Sequence, residues 1–216
     1  MAPMHASGGL GPVVPRAADR RPQGSAIVSL DGLQYDPPVS ESLEQRVRRL
    51  EDRFAINDLV VAYATLLDDA QWDALGQLFT EDGVFASPNS TTTGRAAVIE
   101  NFKVKHAPFP ATWHDPHGIA VEFDDDDHAR GTVIGYAELG QPGVTITTSI
   151  RYQDDYRREH GAWRFAKRHV LSLYGMPSSI LAAGGLGVQD RKRWPGRPAG
   201  PAELPDFERR FPGYPG

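Results

Sequence analysis

Apolar residues recur first at helical intervals and later at alternate positions, and the change falls near residue 110. Ser42 and Gln45 have the spacing of a capping box at a helix start. Behind them, Leu43, Val47, Leu50 and Phe54 and then Ile56, Val60, Tyr63 and Leu67 predict one long helix with a buried stripe. Asp68-Asp69 marks its end, and Asp69 is placed to cap a second helix carrying Trp72, Leu75, Leu78 and Phe79. Glu81-Asp82-Gly83 reads as a turn into a short strand, Val84-Phe85-Ala86. A polar loop over 88–93 then leads to a third helix near 95–104.

Beyond that the period is two. Ile119, Val121 and Phe123 alternate, and the four-Asp run 124–127 makes a turn. A strand near 129–139 follows, and Gln141-Pro142-Gly143 turns the chain into Val144, Ile146, Thr148, Ile150 and Tyr152. Glu159-His160-Gly161 turns it again into a last strand from Ala162 to about Leu173. Helices first and an antiparallel meander afterwards is an α+β order. A strongly curved sheet wrapped around the helices would enclose a cavity.

Composition divides the chain in three. Residues 1–40 are Pro- and Gly-rich without hydrophobic period and read as a flexible N-terminal arm. Residues 41–176 form the domain. Residues 177–216 turn Pro/Gly-rich again but keep Ile180, Leu181, Leu186, Trp194, Leu204, Phe207 and Phe211, enough apolar surface to dock on the domain or on a neighbouring subunit. The 216 residues carry a formal net charge of −5, which argues against nucleic acid and anionic membrane as partners. The chain has no cysteine, so disulfides, thiol nucleophiles and cysteine-held zinc are excluded. No secretion signal or membrane-length apolar run is evident, and a cytoplasmic location is expected.

The run Ala55-Ile56-Asn57-Asp58-Leu59, then Tyr63, Asp68, Trp72 and Leu78-Phe79-Thr80-Glu81-Asp82-Gly83, resembles the opening of SnoaL-like proteins of the nuclear-transport-factor-2-like superfamily. Gly94-Arg95-Ala96-Ala97-Val98 and the ending from Tyr156 through Trp163 to Arg168 resemble it as well, so the likeness covers about residues 43–173. It implies a cone-shaped α+β barrel with the N-terminal helices packed in the curved sheet. The most similar pattern is that of the dehydratase and dehydrochlorinase branch, which includes scytalone dehydratase, bile-acid 7α-dehydratase and hexachlorocyclohexane dehydrochlorinase. Asp68 falls at that branch's Asp position, His114 at its His position and Arg168 at its Arg position. Tyr63 stands where the bile-acid enzyme has a Tyr and the dehydrochlorinase a Lys. Gly118 replaces an Asn that often follows the His.

The resemblance implies β-elimination without metal or organic cofactor. His114 would be the general base, since imidazole titrates near working pH, and Asp68 would hold its tautomer and stabilise the imidazolium. Tyr63 would polarise a carbonyl or assist the leaving oxygen, and Arg168 would meet developing negative charge. Trp113, His117 and Tyr136 are candidate substrate contacts. The substrate would be a small hydrophobic compound, cyclic and polyketide-, terpenoid- or steroid-like, and a homo-oligomer, trimer or dimer, is expected. The same base would equally serve an isomerase or a polyketide cyclase, and the fold also hosts non-catalytic binding or scaffold proteins.

Each residue has a plainer reading. Asp68 can simply end its helix, and Tyr63 can be core, since on an ideal helix it lies ~140° from Asp68. His117 competes with His114 because Pro116 between them interrupts strand alternation. Arg168 shares a strand face with Ala166 and Val170 while His169 faces Phe165's side, unless a β-bulge exchanges them. His114-Asp115-x-His117 is weak evidence for a metal, and the four-Asp run lacks the Gly and distal Glu of a calcium loop.

Overall fold

The computed structural model describes residues 41–204, so the arm over 1–40 and the tail residues Phe207 and Phe211 lie outside the described residues. Helix α1, Leu43–Asp68, starts in the capping box that Ser42 and Gln45 form. Its second half buries Ile56, Leu59, Val60, Tyr63, Ala64 and Leu67. Its first half departs from expectation: Leu43, Val47, Leu50 and Phe54 remain exposed. Helical period alone marks a stripe and does not say what covers it.

Asp69 turns out to be the C-cap of α1, and α2, Trp72–Gln77, has Gln71 as its N-cap with no side-chain cap bond. The tight corner needs Ala70 at φ 53°. Strand β1 spans Phe79–Ser87 and takes in the expected turn at Glu81-Asp82-Gly83, where its register with β6 breaks between Phe79 and Val84. The expected polar loop holds a short edge strand, β2, Ser90–Thr93. Helix α3 covers Arg95–His106, and four strands follow: β3 Ala111–Phe123, β4 His128–Gln141, β5 Val144–Glu159 and β6 Ala162–Pro177.

The six strands form one sheet in the order β2-β1-β6-β5-β4-β3. β1 runs parallel to β6 and the other pairs are antiparallel. The mixed sheet curls around α1 and α3 as the cone of the nuclear-transport-factor-2-like fold, but it does not close: β2 and β3 are free ends. In place of a closed barrel there is an open trough, filled by Tyr63, Phe79, Phe102, Tyr156 and Phe165. Gly131 on β4 admits the Tyr156 ring, since a Cβ there would sit 2.6 Å from its Cε2.

Two irregularities place side chains for the site. Pro116 lies within β3 without ending it, because β3 is an edge strand and can spare a ladder donor. In β6 the register shifts between Asp155 and Tyr156, leaving Ala166 as an extra residue. That bulge puts Arg168 on the inner face with Trp163 and Phe165, all of them buried. Past the end of β1, β6 is met by the C-terminal residues. The Gly175 amide donates to the Arg191 carbonyl, Leu204 N–H to Ser172 and Ser172 N–H to the Glu203 carboxylate. No helix among the described residues is long and apolar enough to cross a membrane.

Candidate active site

Asp68 is the last residue of α1, where the chain turns away and frees its carboxylate toward β3. Three donors converge on it. His114 Nδ1 lies 2.6 Å from Oδ1, the His114 backbone N–H donates to Oδ2 at 2.7 Å, and the Thr112 hydroxyl donates to Oδ1 at 2.7 Å. Burial opposes ionisation of Asp68, but hydrogen bonds from His114 and Thr112 and the imidazole charge hold its pKa below the ordinary carboxylate value. Asp68 is therefore the acceptor and His114 Nδ1 carries the proton, which leaves Nε2 as the basic nitrogen. Nε2 has no hydrogen-bond partner among the described residues.

His114 borders a cavity whose other walls are Val60, Tyr63, Ile150, Tyr152 and Arg168. The cavity is small, about 230 Å³ with the solvent at its opening included. Its side chains nearly fill it, so an organic ligand would require them to move. Asp68 stands behind His114 and not in the wall, so the angular offset between Tyr63 and Asp68 on α1 is no obstacle.

Arg168 is buried to 1 % exposure. Its guanidinium lies 4.1 Å from the Tyr63 ring centre and 3.8 Å from that of Tyr152, with Nη2 3.4 Å from Asp154 Oδ2. Tyr156 donates to the same Asp154 oxygen at 2.9 Å. Burial works against charge on Arg168, yet Asp154 and the surrounding tyrosines outweigh it and raise its pKa. Its Nε and Nη1 find no hydrogen-bond partner among the described residues. Burial raises the Tyr63 phenol well above its ordinary pKa, so Tyr63 stays protonated and can donate a hydrogen bond.

Of the remaining candidates only Tyr136 borders the cavity. Trp113 is 64 % exposed, and His117 is the extra residue of a β3 bulge, half exposed beside Asp115 at 3.4 Å. By strand alternation Trp113 belongs to the outer face of the sheet, so neither residue reaches the cavity. Tyr136 borders it along the strand, but its hydroxyl lies 3.3 Å from Glu138, two residues on and on the same outer face.

Four neighbours were not foreseen. Thr112 shares a face with His114 by alternation. Tyr152, Asp154 and Tyr156 follow one another on the inner face of β5, opposite Arg168. The period-two pattern carried both signals. A further imidazole, His106 at the end of α3, sits 6.0 Å from the His114 ring. Burial lowers its pKa, against a 2.9 Å bond to the Phe102 carbonyl.

The model of the SnoaL-like domain matches residues 48–169. No curated protein sequence matches significantly. Among solved structures, hexachlorocyclohexane dehydrochlorinase LinA-type3 of Novosphingobium barchaimii superposes with TM-score 0.57 at 22% identity, covering 61% of this chain and 93% of that one. A candidate scytalone dehydratase of Novosphingobium aromaticivorans gives 0.58 at 20% identity over 71% and 99% of the two chains. A candidate aromatic ring hydroxylase of the same organism gives 0.56 at 28% identity over 59% and 94%.

Proposed function

The chain belongs to the SnoaL-like domain family, and from that premise we propose that it is a cofactor-free lyase removing water or hydrogen halide from a small hydrophobic compound. The fold is one that small-molecule-converting enzymes use. The observation that carries the finer reading is the 2.6 Å contact between Asp68 and His114 beside an apolar cavity. It leaves one basic ring nitrogen at the wall, with a carboxylate behind it to stabilise a positive charge.

In the elimination, His114 Nε2 takes the proton from carbon. The C–H electron pair becomes the new double bond, and the leaving group departs with its own bonding pair. A departing hydroxide then takes the proton back from the imidazolium as water, whereas with a departing halide the imidazolium gives its proton to solvent; either way His114 returns to neutral. The Arg168 guanidinium and the Tyr63 hydroxyl lie on the same cavity and would stabilise the negative charge that develops. The apolar walls suit a ring or hydrocarbon skeleton. They also suit isomerisation, in which the same proton returns to another carbon.

Product mass separates the two reactions. Incubation with hydrophobic β-hydroxy and halogenated compounds is expected to yield a product lighter by one water or one hydrogen halide. Products of unchanged mass would replace the lyase with an isomerase. Asp68→Asn should lower kcat by about 10²–10⁴, as loss of a tautomer-fixing carboxylate does in related dyads. It should also move the acid limb of the pH–rate profile, and a superimposable profile would remove Asp68 from the mechanism.

A further inference from the structure

One face of α1 has no partner among the described residues. Leu43, Leu50 and Phe54 on it are 72, 57 and 69 % exposed, and Val47 and Val61 are exposed with them. With the exposed Asn57, these positions advance by alternating steps of four and three residues. That is the a/d spacing of a heptad repeat. At ~100° per residue, this line runs about 130° around the helix from the mean direction of the buried Ile56, Leu59, Val60, Tyr63, Ala64 and Leu67. A partner on it would lie away from most of the core, with Val60 and Ala64 the buried residues nearest to it.

The flanking charges decide what fits. Arg46 and Arg53 lie along one side of the seam, and Glu44, Glu51 and Asp58 along the other. In a parallel pair of such helices, each residue of the first row faces the residue five positions later on the partner. Arg46 would then meet Glu51, and Arg53 would meet Asp58 on turning from the Phe123 ring, whose centre lies 5.5 Å from its guanidinium, each pair twice over by symmetry. In an antiparallel pair arginine would face arginine and acid would face acid. A contiguous apolar stripe of this length on a water-exposed helix marks an association surface.

We infer that this face of α1 pairs in parallel with α1 of a second copy of the chain as a short two-stranded coiled coil. Asn57 occupies a seam position, where a buried amide pair fixes register. Each domain sits on the outer side of its own helix.

Sedimentation velocity of the full chain should give twice the single-chain mass. Val47→Asp combined with Phe54→Asp should return it to single-chain mass with unchanged far-ultraviolet circular dichroism, and its thermal midpoint should no longer depend on protein concentration. Arg46→Glu should raise the dimer dissociation constant about tenfold, and adding Glu51→Arg should restore it. Because the chain has no cysteine, Leu43→Cys reports direction: mild oxidation should link position 43 to position 43. The inference is overturned by a native single-chain mass, as when the preceding segment covers the seam. A higher oligomer, or a dimer indifferent to the aspartates, overturns it equally. So does preferential linkage of positions 43 and 61 in Leu43→Cys/Val61→Cys.

Discussion

His114→Ala should lower kcat/KM by about 10²–10⁴, the contribution of a well-placed general base, while the protein stays folded. The fold should survive because two of the three donors to Asp68 remain: the Thr112 hydroxyl and the backbone N–H of residue 114. Asp68 is thus not stranded as a bare buried charge, which would otherwise be the main cost of removing a partner. The measurement is steady-state kinetics on the converted substrate, with circular dichroism to establish the fold. A folded variant turning over at the native rate would place the base elsewhere, and His106, 6.0 Å away, would be the next residue to replace. His106→Ala alone should cost far less, because its Nδ1 is bound to the Phe102 carbonyl and no carboxylate orients it.

The second large effect concerns stability. Arg168→Met should destabilise the protein by about 3–5 kcal/mol at pH 8, because it leaves a buried carboxylate without its cation. Asp154 is fully enclosed and keeps only the Tyr156 hydroxyl as a partner. Replacing both members, as Arg168→Met with Asp154→Leu, should recover most of the loss.

The penalty should also depend on pH, and its sign follows from Asp154. Burial pushes that carboxyl up to about 6, against the pull of Arg168 and the Tyr156 bond. Its folded pKa therefore lies above its unfolded value of about 3.9. The stability tied to its proton is full below the unfolded pKa and is lost as pH rises to about 6. Chemical denaturation should accordingly show a smaller Arg168→Met penalty near pH 4.5 than at pH 8. A cost independent of pH would mean that Asp154 stays ionised throughout.

Arg168 also shows where the sequence could be read and where it could not. Long-range order was legible: the Ser42–Gln45 box, the change of period near residue 110 and the turns at Gly143 and Gly161 all describe the observed chain. Asp68 and His114 were reached through resemblance, and the structure brings them together. What stayed open was the choice of face. Strict alternation sets Arg168 with Ala166, but a one-residue bulge at Ala166 reverses that part of β6. Pro116 hid the alternation of β3, since a proline argues against a strand unless the strand is known to be an edge. Alternation sets Trp113 and the Tyr136 side chain toward the outer face, although Tyr136 still borders the cavity, and His117 falls in the bulge of β3. In α1, period identified Leu43 through Phe54 correctly as a line but could not say that the sheet stops short of it.

The two rims of the sheet bear on whether strands of neighbouring chains can add to it. One rim is β2, only four residues long. The other is β3, where Pro116 offers no N–H and the bulge at His117 breaks the ladder. Neither gives an incoming chain a long, regular row of free amides and carbonyls, which is what runaway strand-on-strand growth into fibrils requires.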